Sequence, residues 1–213
     1  MVMVEIAGIK IPDTKMALDA KEVLLENGSD LLFNHSNRVY LFGALKAQKE
    51  QVKYDQELLY ISALFHDLGL TKLYSSDDLR FEVDGANAAR QFLQTYNVEK
   101  QAIQVVWDAI ALHTTPGIAE HKENEVALLF AGVGTDVMGD GYELLTETER
   151  QAVLDVFPRV NFKQNIIQAF YDGIKHKPQT TFGNMKQDIC AHFNPQFKNK
   201  NFCDCILHSP WKE

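Results

Sequence analysis

Along most of the chain apolar residues recur every three or four positions, the spacing of a helix with one buried face, and no stretch alternates with period two for long enough to define a strand. A short extended segment is expected near Ile6 to Ile11, ended by Pro12. Asp13 is placed to cap a helix through about Glu26, with Met16, Ala20, Val23 and Leu24 on one face and Asn27-Gly28 as its stop. The segment from Asp30 to about Gln48 sets His35, Val39 and Phe42 at i, i+4 and i+7, so the imidazole shares the face that buries apolar side chains. A charged loop, Lys49 to Asp55, leads to a helix over Glu57 to Leu68 that is apolar on nearly every side, carries His66 and Asp67 at its far end and stops at Gly69. Ser75 to Asp78 then mark a surface loop.

Six further helices follow by the same reading. Gly85, Ala89, Phe92, Leu93 and Tyr96 make one stripe, with Glu82 just before it, and Ile103, Val106, Trp107, Ile110 and Ala111 make another in Lys100 to His113, which Pro116-Gly117 ends. Val126, Leu129, Phe130, Val133 and Val137 line a helix over Asn124 to Met138, and Asp136 has an inward phase on it. Thr146 to Glu149 form a capping box opening a helix to Phe157. Asn161 is placed to cap another helix bearing Phe162, Ile166, Phe170 and Ile174; a last short helix is expected over about Asn184 to Phe193, with an irregular tail beyond Pro195. The expectation is an all-α, compact helical bundle.

Composition narrows the class. A chain of 213 residues with 46% hydrophobic content suits one domain with its own core. A formal charge of -8, with Lys and Arg scattered, argues against a nucleic-acid polymer as partner and favours a small-molecule substrate. Cys190, Cys203 and Cys205 supply no disulfide framework and point to a reducing compartment. The first residues lack a positive segment followed by a long apolar run, and no later run reaches membrane-spanning length. A soluble, cytoplasmic protein with no membrane partner is expected, and a homo-oligomer stays open.

His66 and Asp67 carry the chemistry. An imidazole and a carboxylate at the end of a buried helix need partners, because burying them unsatisfied is costly. A divalent cation would serve both at once; a carboxylate that merely orients its neighbouring imidazole would also account for the pair. His113, at a helix C-terminus, reads equally as a cap for unsatisfied carbonyls and as a functional group. Glu82 reads as a carboxylate favoured by a helix N-terminus or as a site residue. His121 lies among Glu120, Lys122 and Glu123 and is expected at the surface.

The order of His35, then His66-Asp67, then Asp136 resembles the HD superfamily of metal-dependent hydrolases. Within it, the run from Arg80 to Arg90, the run from Ala109 to Gly117 and the closing stretch from Cys205 to Trp211 look most like the branch containing cyanamide hydratase. The resemblance implies a single HD-type domain over 1–213, with a motif core at 34–141 and C-terminal helices and tail at 142–213. It implies that His35, His66, Asp67 and Asp136 bind one divalent ion, zinc first, with iron and manganese as alternatives. Glu82 and His113 then act as catalytic residues on substrate or activated water, with His113 as proton donor. The implied reaction adds water to an electrophile, phosphorus in the phosphohydrolases and a nitrile carbon in cyanamide hydratase, whose product is urea. Lys72, Arg80 and Arg90 are the cations nearest the motifs, each among polar neighbours. That poverty places hydration of a small nitrile ahead of phosphoester hydrolysis. A non-catalytic HD-fold binding domain with a structural metal is the remaining alternative.

Overall fold

The computed structural model describes residues 5–181, 192–198 and 201–212. Its helices are α1 (Lys15–Asn27), α2 (Asp30–Glu50), α3 (Gln56–Phe65), α4 (Phe81–Thr95), α5 (Lys100–Leu112), α6 (Asn124–Met138), α7 (Glu147–Val156), α8 (Phe162–Ile174) and α9 (Phe202–Leu207). The all-α expectation holds; the short extended segment is a two-stranded antiparallel hairpin, Glu5–Ile6 with Ile9–Lys10. No described helix is long and apolar enough to cross a membrane.

Helix starts follow local hydrogen bonding. The Ser29 hydroxyl accepts from the Leu32 amide and opens α2, and the Asp55 carboxylate accepts from the Glu57 and Leu58 amides and opens α3. The capping box of Thr146 and Glu149 is formed at α7. Two expected caps are corrected. Thr14, not Asp13, caps α1, because the chain turns helical at Lys15 and the Thr14 hydroxyl reaches the Ala17 amide at 3.1 Å. Asn161 precedes α8 in a left-handed conformation, φ 47°, with no side-chain cap bond.

Close approach of backbones brings the site together. A Cβ on Gly132 of α6 would lie 2.2 Å from the Val39 carbonyl oxygen, so only glycine lets α6 press onto α2 just beyond His35. A Cβ on Gly85 of α4 would lie 2.7 Å from the Phe65 carbonyl oxygen, and one on Gly69 would lie 2.0 Å from that of Phe81. Glycines on both sides of that contact therefore dock α4 against the end of α3. Val39, Leu41, Leu59, Leu64, Val106 and Leu129 lie in the core these helices enclose.

The tail departs from the irregular expectation. Asn201 caps α9, and beyond it Trp211 is buried, donates from Nε1 to the Thr135 carbonyl at 2.7 Å and stacks on Phe42 at 5.5 Å. The helix expected over Asn184 to Phe193 falls largely outside the described residues. Cys203 is exposed and Cys205 half-buried, and neither is in a disulfide.

Candidate metal centre

Four helix ends and one helix interior deliver the site. His35 enters from the second turn of α2. The expected central helix stops earlier than Leu68: α3 ends at Phe65, His66 keeps helical angles, and Asp67 leaves the helical track at φ -103° and ψ 4°. That departure turns the carboxylate of Asp67 back towards the rings. His113 follows the last residue of α5, and Asp136 lies two residues from the end of α6. Glu82 sits inside the first turn of α4, not ahead of it. His35, His66 and Asp136 are 0% exposed, Asp67 1%, His113 2% and Glu82 3%.

The Nε2 atoms of His35 and His66 are 3.2 Å apart, and Asp67 Oδ2 lies 3.5 Å from the first and 3.3 Å from the second. Asp67 Oδ1 lies 3.7 Å from Nε2 of His113. Every ring is tied through its other nitrogen. Nδ1 of His66 is 2.7 Å from the Ala63 carbonyl oxygen, Nδ1 of His113 is 2.6 Å from that of Ile110, and Nδ1 of His35 is 2.6 Å from Asp136 Oδ2. Carbonyl and ionised carboxylate oxygens only accept, so each Nδ1 carries the proton it donates, and each Nε2 of a neutral ring is a bare lone pair. Three lone pairs thus face a carboxylate that only accepts. Both oxygens of Asp67 and Nε2 of His113 are buried without a hydrogen-bond partner.

A buried set of acceptors with no donor among them is unfavourable unless a cation sits between them. His35, His66 and Asp67 each offer one ligand atom, all within 4.8 Å of one another, and imidazole nitrogen with carboxylate oxygen is the donor set of zinc, iron and manganese. Electrostatics agree. Burial would raise the Asp67 carboxyl, but His66, His35 and His113 outweigh it and hold it well below the ordinary range. Burial pushes His113 down to about 4 and lowers His35, whereas His66 is raised because Asp67 and the Ala63 carbonyl outweigh its burial. Positive charge is favoured next to Asp67, and a metal ion would replace the proton that His66 otherwise takes.

Asp136 is not brought into this cluster. It lies across the His35 ring, against Nδ1, whereas expectation had all four residues around one ion. There it accepts from Arg38 Nε at 2.8 Å, Arg38 Nη2 at 2.9 Å and Arg159 Nη1 at 2.6 Å. Burial would raise its carboxyl, but Arg38, Arg159 and the bond from His35 hold it far below the usual carboxylate range. Sequence reasoning missed both arginines. Arg38 had a signal, since it follows His35 by three residues on the buried face; Arg159, after Pro158, had none.

Glu82 meets the cluster only through its neighbours. Its Oε1 accepts from Arg80 Nη2 at 2.7 Å and from the Thr114 hydroxyl at 2.5 Å, next in sequence to His113. Burial would raise the Glu82 carboxyl, and Arg80, His113 and Thr114 together lower it. Of the other expected cations, Lys72 is exposed and Arg90 lies over the Trp107 ring at 4.9 Å. Lys177, also unanticipated, is buried and donates to Asp84 at 2.6 Å. His121 is exposed, as expected.

The family model described as HD domain matches residues 32–155, a span that contains His35, His66, Asp67, Glu82, His113 and Asp136. Among curated proteins no relative matches the chain.

Proposed function

The chain belongs to the HD domain family, and on that premise we propose that it is a metal-dependent hydrolase or hydratase that adds water to a small, uncharged substrate, first among them a nitrile such as cyanamide. One observation carries the reading: both oxygens of a buried, ionised carboxylate and Nε2 of His113 have no hydrogen-bond partner where the Nε2 atoms of His35 and His66 converge. His35, His66 and Asp67 would hold the ion, zinc first. A divalent ion bound there lowers the pKa of water towards neutrality and polarises an electrophile.

The protein's own groups manage protons and orientation. His113 accepts a proton before it donates one: its ring proton at Nδ1 is committed to the Ile110 carbonyl, and its Nε2 is bare. It takes a proton from the attacking water and, as imidazolium, returns one to the nitrile nitrogen as the carbon–oxygen bond forms. Water and cyanamide are consumed and urea is the sole product. Glu82 does not touch that proton; its charge favours the imidazolium, and its bond from Thr114 steadies the backbone beside His113.

The surroundings favour a neutral substrate. Arg38 and Arg159 are bonded to Asp136, Arg80 to Glu82 and Lys177 to Asp84, so each of these cations is already matched with a carboxylate. A phosphoryl group needs cations or helix N-termini aimed at its oxygens. Burial of all six candidate residues also fits a small molecule better than a nucleotide.

The test is to load the protein with zinc, iron(II) or manganese and assay urea formed from cyanamide, with phosphate release from nucleotides and generic phosphoesters measured in parallel. Metal-dependent urea formation is expected. Phosphate release without urea overturns the nitrile reading and leaves the metal centre standing; failure to bind any of the three ions overturns the centre itself.

A further inference from the structure

We propose that Asp136 stays outside the ligand shell of the ion and acts as a positioning residue, locking His35 in the tautomer and orientation that aim its Nε2 at the centre. The inference rests on the metal-centre reading for its role, but the pairing of Asp136 with His35 stands on the geometry alone.

The two nitrogens of an imidazole point to opposite sides of the ring. Asp136 Oδ2 sits 2.6 Å from Nδ1 of His35, whereas Nε2 of the same ring faces His66 at 3.2 Å and Asp67 at 3.5 Å. An ion held at Nε2 is therefore on the far side of the ring from Asp136. The cluster that could hold an ion accordingly contains His35, His66 and Asp67 without Asp136.

The bonding capacity of Asp136 is also used up. An ionised carboxylate offers about four lone-pair sites. Oδ1 accepts from Arg38 Nε and Arg159 Nη1, and Oδ2 accepts from Arg38 Nη2 and His35 Nδ1. Asp67, which accepts from nothing, is its opposite. An ion at Asp136 would have to displace a guanidinium and leave it buried without its carboxylate, a large penalty.

The arginines hold the carboxylate in place from both directions. Arg38 follows His35 by one turn of α2 and also donates to the Phe157 and Pro158 carbonyls at 3.3 and 2.9 Å, while Arg159 also donates to the Asp136 carbonyl at 2.5 Å. Phe162 lies under both guanidiniums, at 4.6 and 4.2 Å, and its ring centre is 5.3 Å from that of His35. The ring of His35 is thus walled by Phe162 and tethered at Nδ1. Carboxylates that accept from a metal-bound imidazole raise ligand basicity and fix its tautomer, and their loss lowers metal affinity by about 10–100-fold.

Three measurements on the full-length protein decide the matter. In metal-free wild-type protein, long-range proton–nitrogen NMR correlations should show His35 protonated at Nδ1; protonation at Nε2 overturns the proposal whether or not a variant folds. In cobalt(II)-loaded protein, Asp136→Asn should keep the wild-type visible absorption bands while chelator competition shows affinity lowered about 10–100-fold, whereas Asp67→Asn should change the bands. Altered bands in Asp136→Asn, or undiminished affinity, overturn it. If wild-type protein binds no cobalt, zinc, iron or manganese, the metal centre fails, and the NMR result still decides whether Asp136 sets the tautomer of His35.

Discussion

His35 separates two halves of the same buried site that are built from the same kinds of residue and balanced in opposite ways. On its Nδ1 side a carboxylate meets two arginines, and both oxygens of Asp136 are fully bonded. On its Nε2 side a carboxylate meets two more imidazoles, and neither oxygen of Asp67 has a hydrogen-bond partner. The closed half is complete as protein. The open half has the same formal appetite for positive charge, and nothing in the described chain supplies it beyond a proton on His66. A buried carboxylate by itself therefore says little about function; whether the protein brings its own cation to it says a great deal.

The sharpest way to break the contrast is to take one lone pair from the open half. His66→Ala should reduce bound metal from one equivalent to none. It should also abolish the difference in melting behaviour between metal-replete and chelator-treated protein, a stabilisation of about 4 kcal/mol when free metal exceeds the dissociation constant a thousandfold. Elemental analysis and thermal melts with and without chelator read both effects, and undiminished metal in the variant would put the centre elsewhere. Next in size, Glu82→Gln removes the charge beside His113 without touching the open half. Turnover should fall within the roughly 10²–10⁴-fold range of lost acid–base assistance, with metal content unchanged and the pH–rate profile displaced. Loss of the ion would make Glu82 a ligand.

A third change strikes the closed half. Arg38→Ala leaves Asp136 with one guanidinium in place of two and empties a fully buried site, for an expected loss of about 3–5 kcal/mol in urea denaturation of metal-free protein. Arg38→Met, which refills the volume, should recover part of that loss. A denaturation midpoint that does not move in Arg38→Ala would mean that the closed half is not held by this pair.

Helix periodicity made much of this fold legible. The expected span of Asn124 to Met138 coincides with α6, and that of Asp30 to Gln48 differs from α2 only at its far end. Both are long and carry apolar residues at three- and four-residue spacing. The inward phase of His35 and Asp136 was legible for the same reason, because three- and four-residue spacing assigns a side chain to a face. Caps were less secure: Asp13 was the expected cap of α1, and only the point at which the backbone turns helical gives that role to its neighbour Thr14. The early end of α3 was hidden by apolar composition, which runs straight through Leu68 while the backbone turns away at Asp67.

Apolar periodicity is enough to establish the all-α architecture, the order of its helices and the set of polar residues carried on their inward faces. Which of those residues meet is set by packing, because helical phase specifies a direction around one axis and nothing about how two axes slide past each other. Asp136 reaches Nδ1 of His35 across 101 positions of sequence, and Arg38 reaches Asp136 across 98. A shift of one turn along α6, about 5.4 Å, would carry Asp136 away from that nitrogen, and glycine-permitted contact at Gly132 sets the depth at which α6 rests on α2. The division of the site into a closed half and an open one is therefore a property of helix packing, not of any motif.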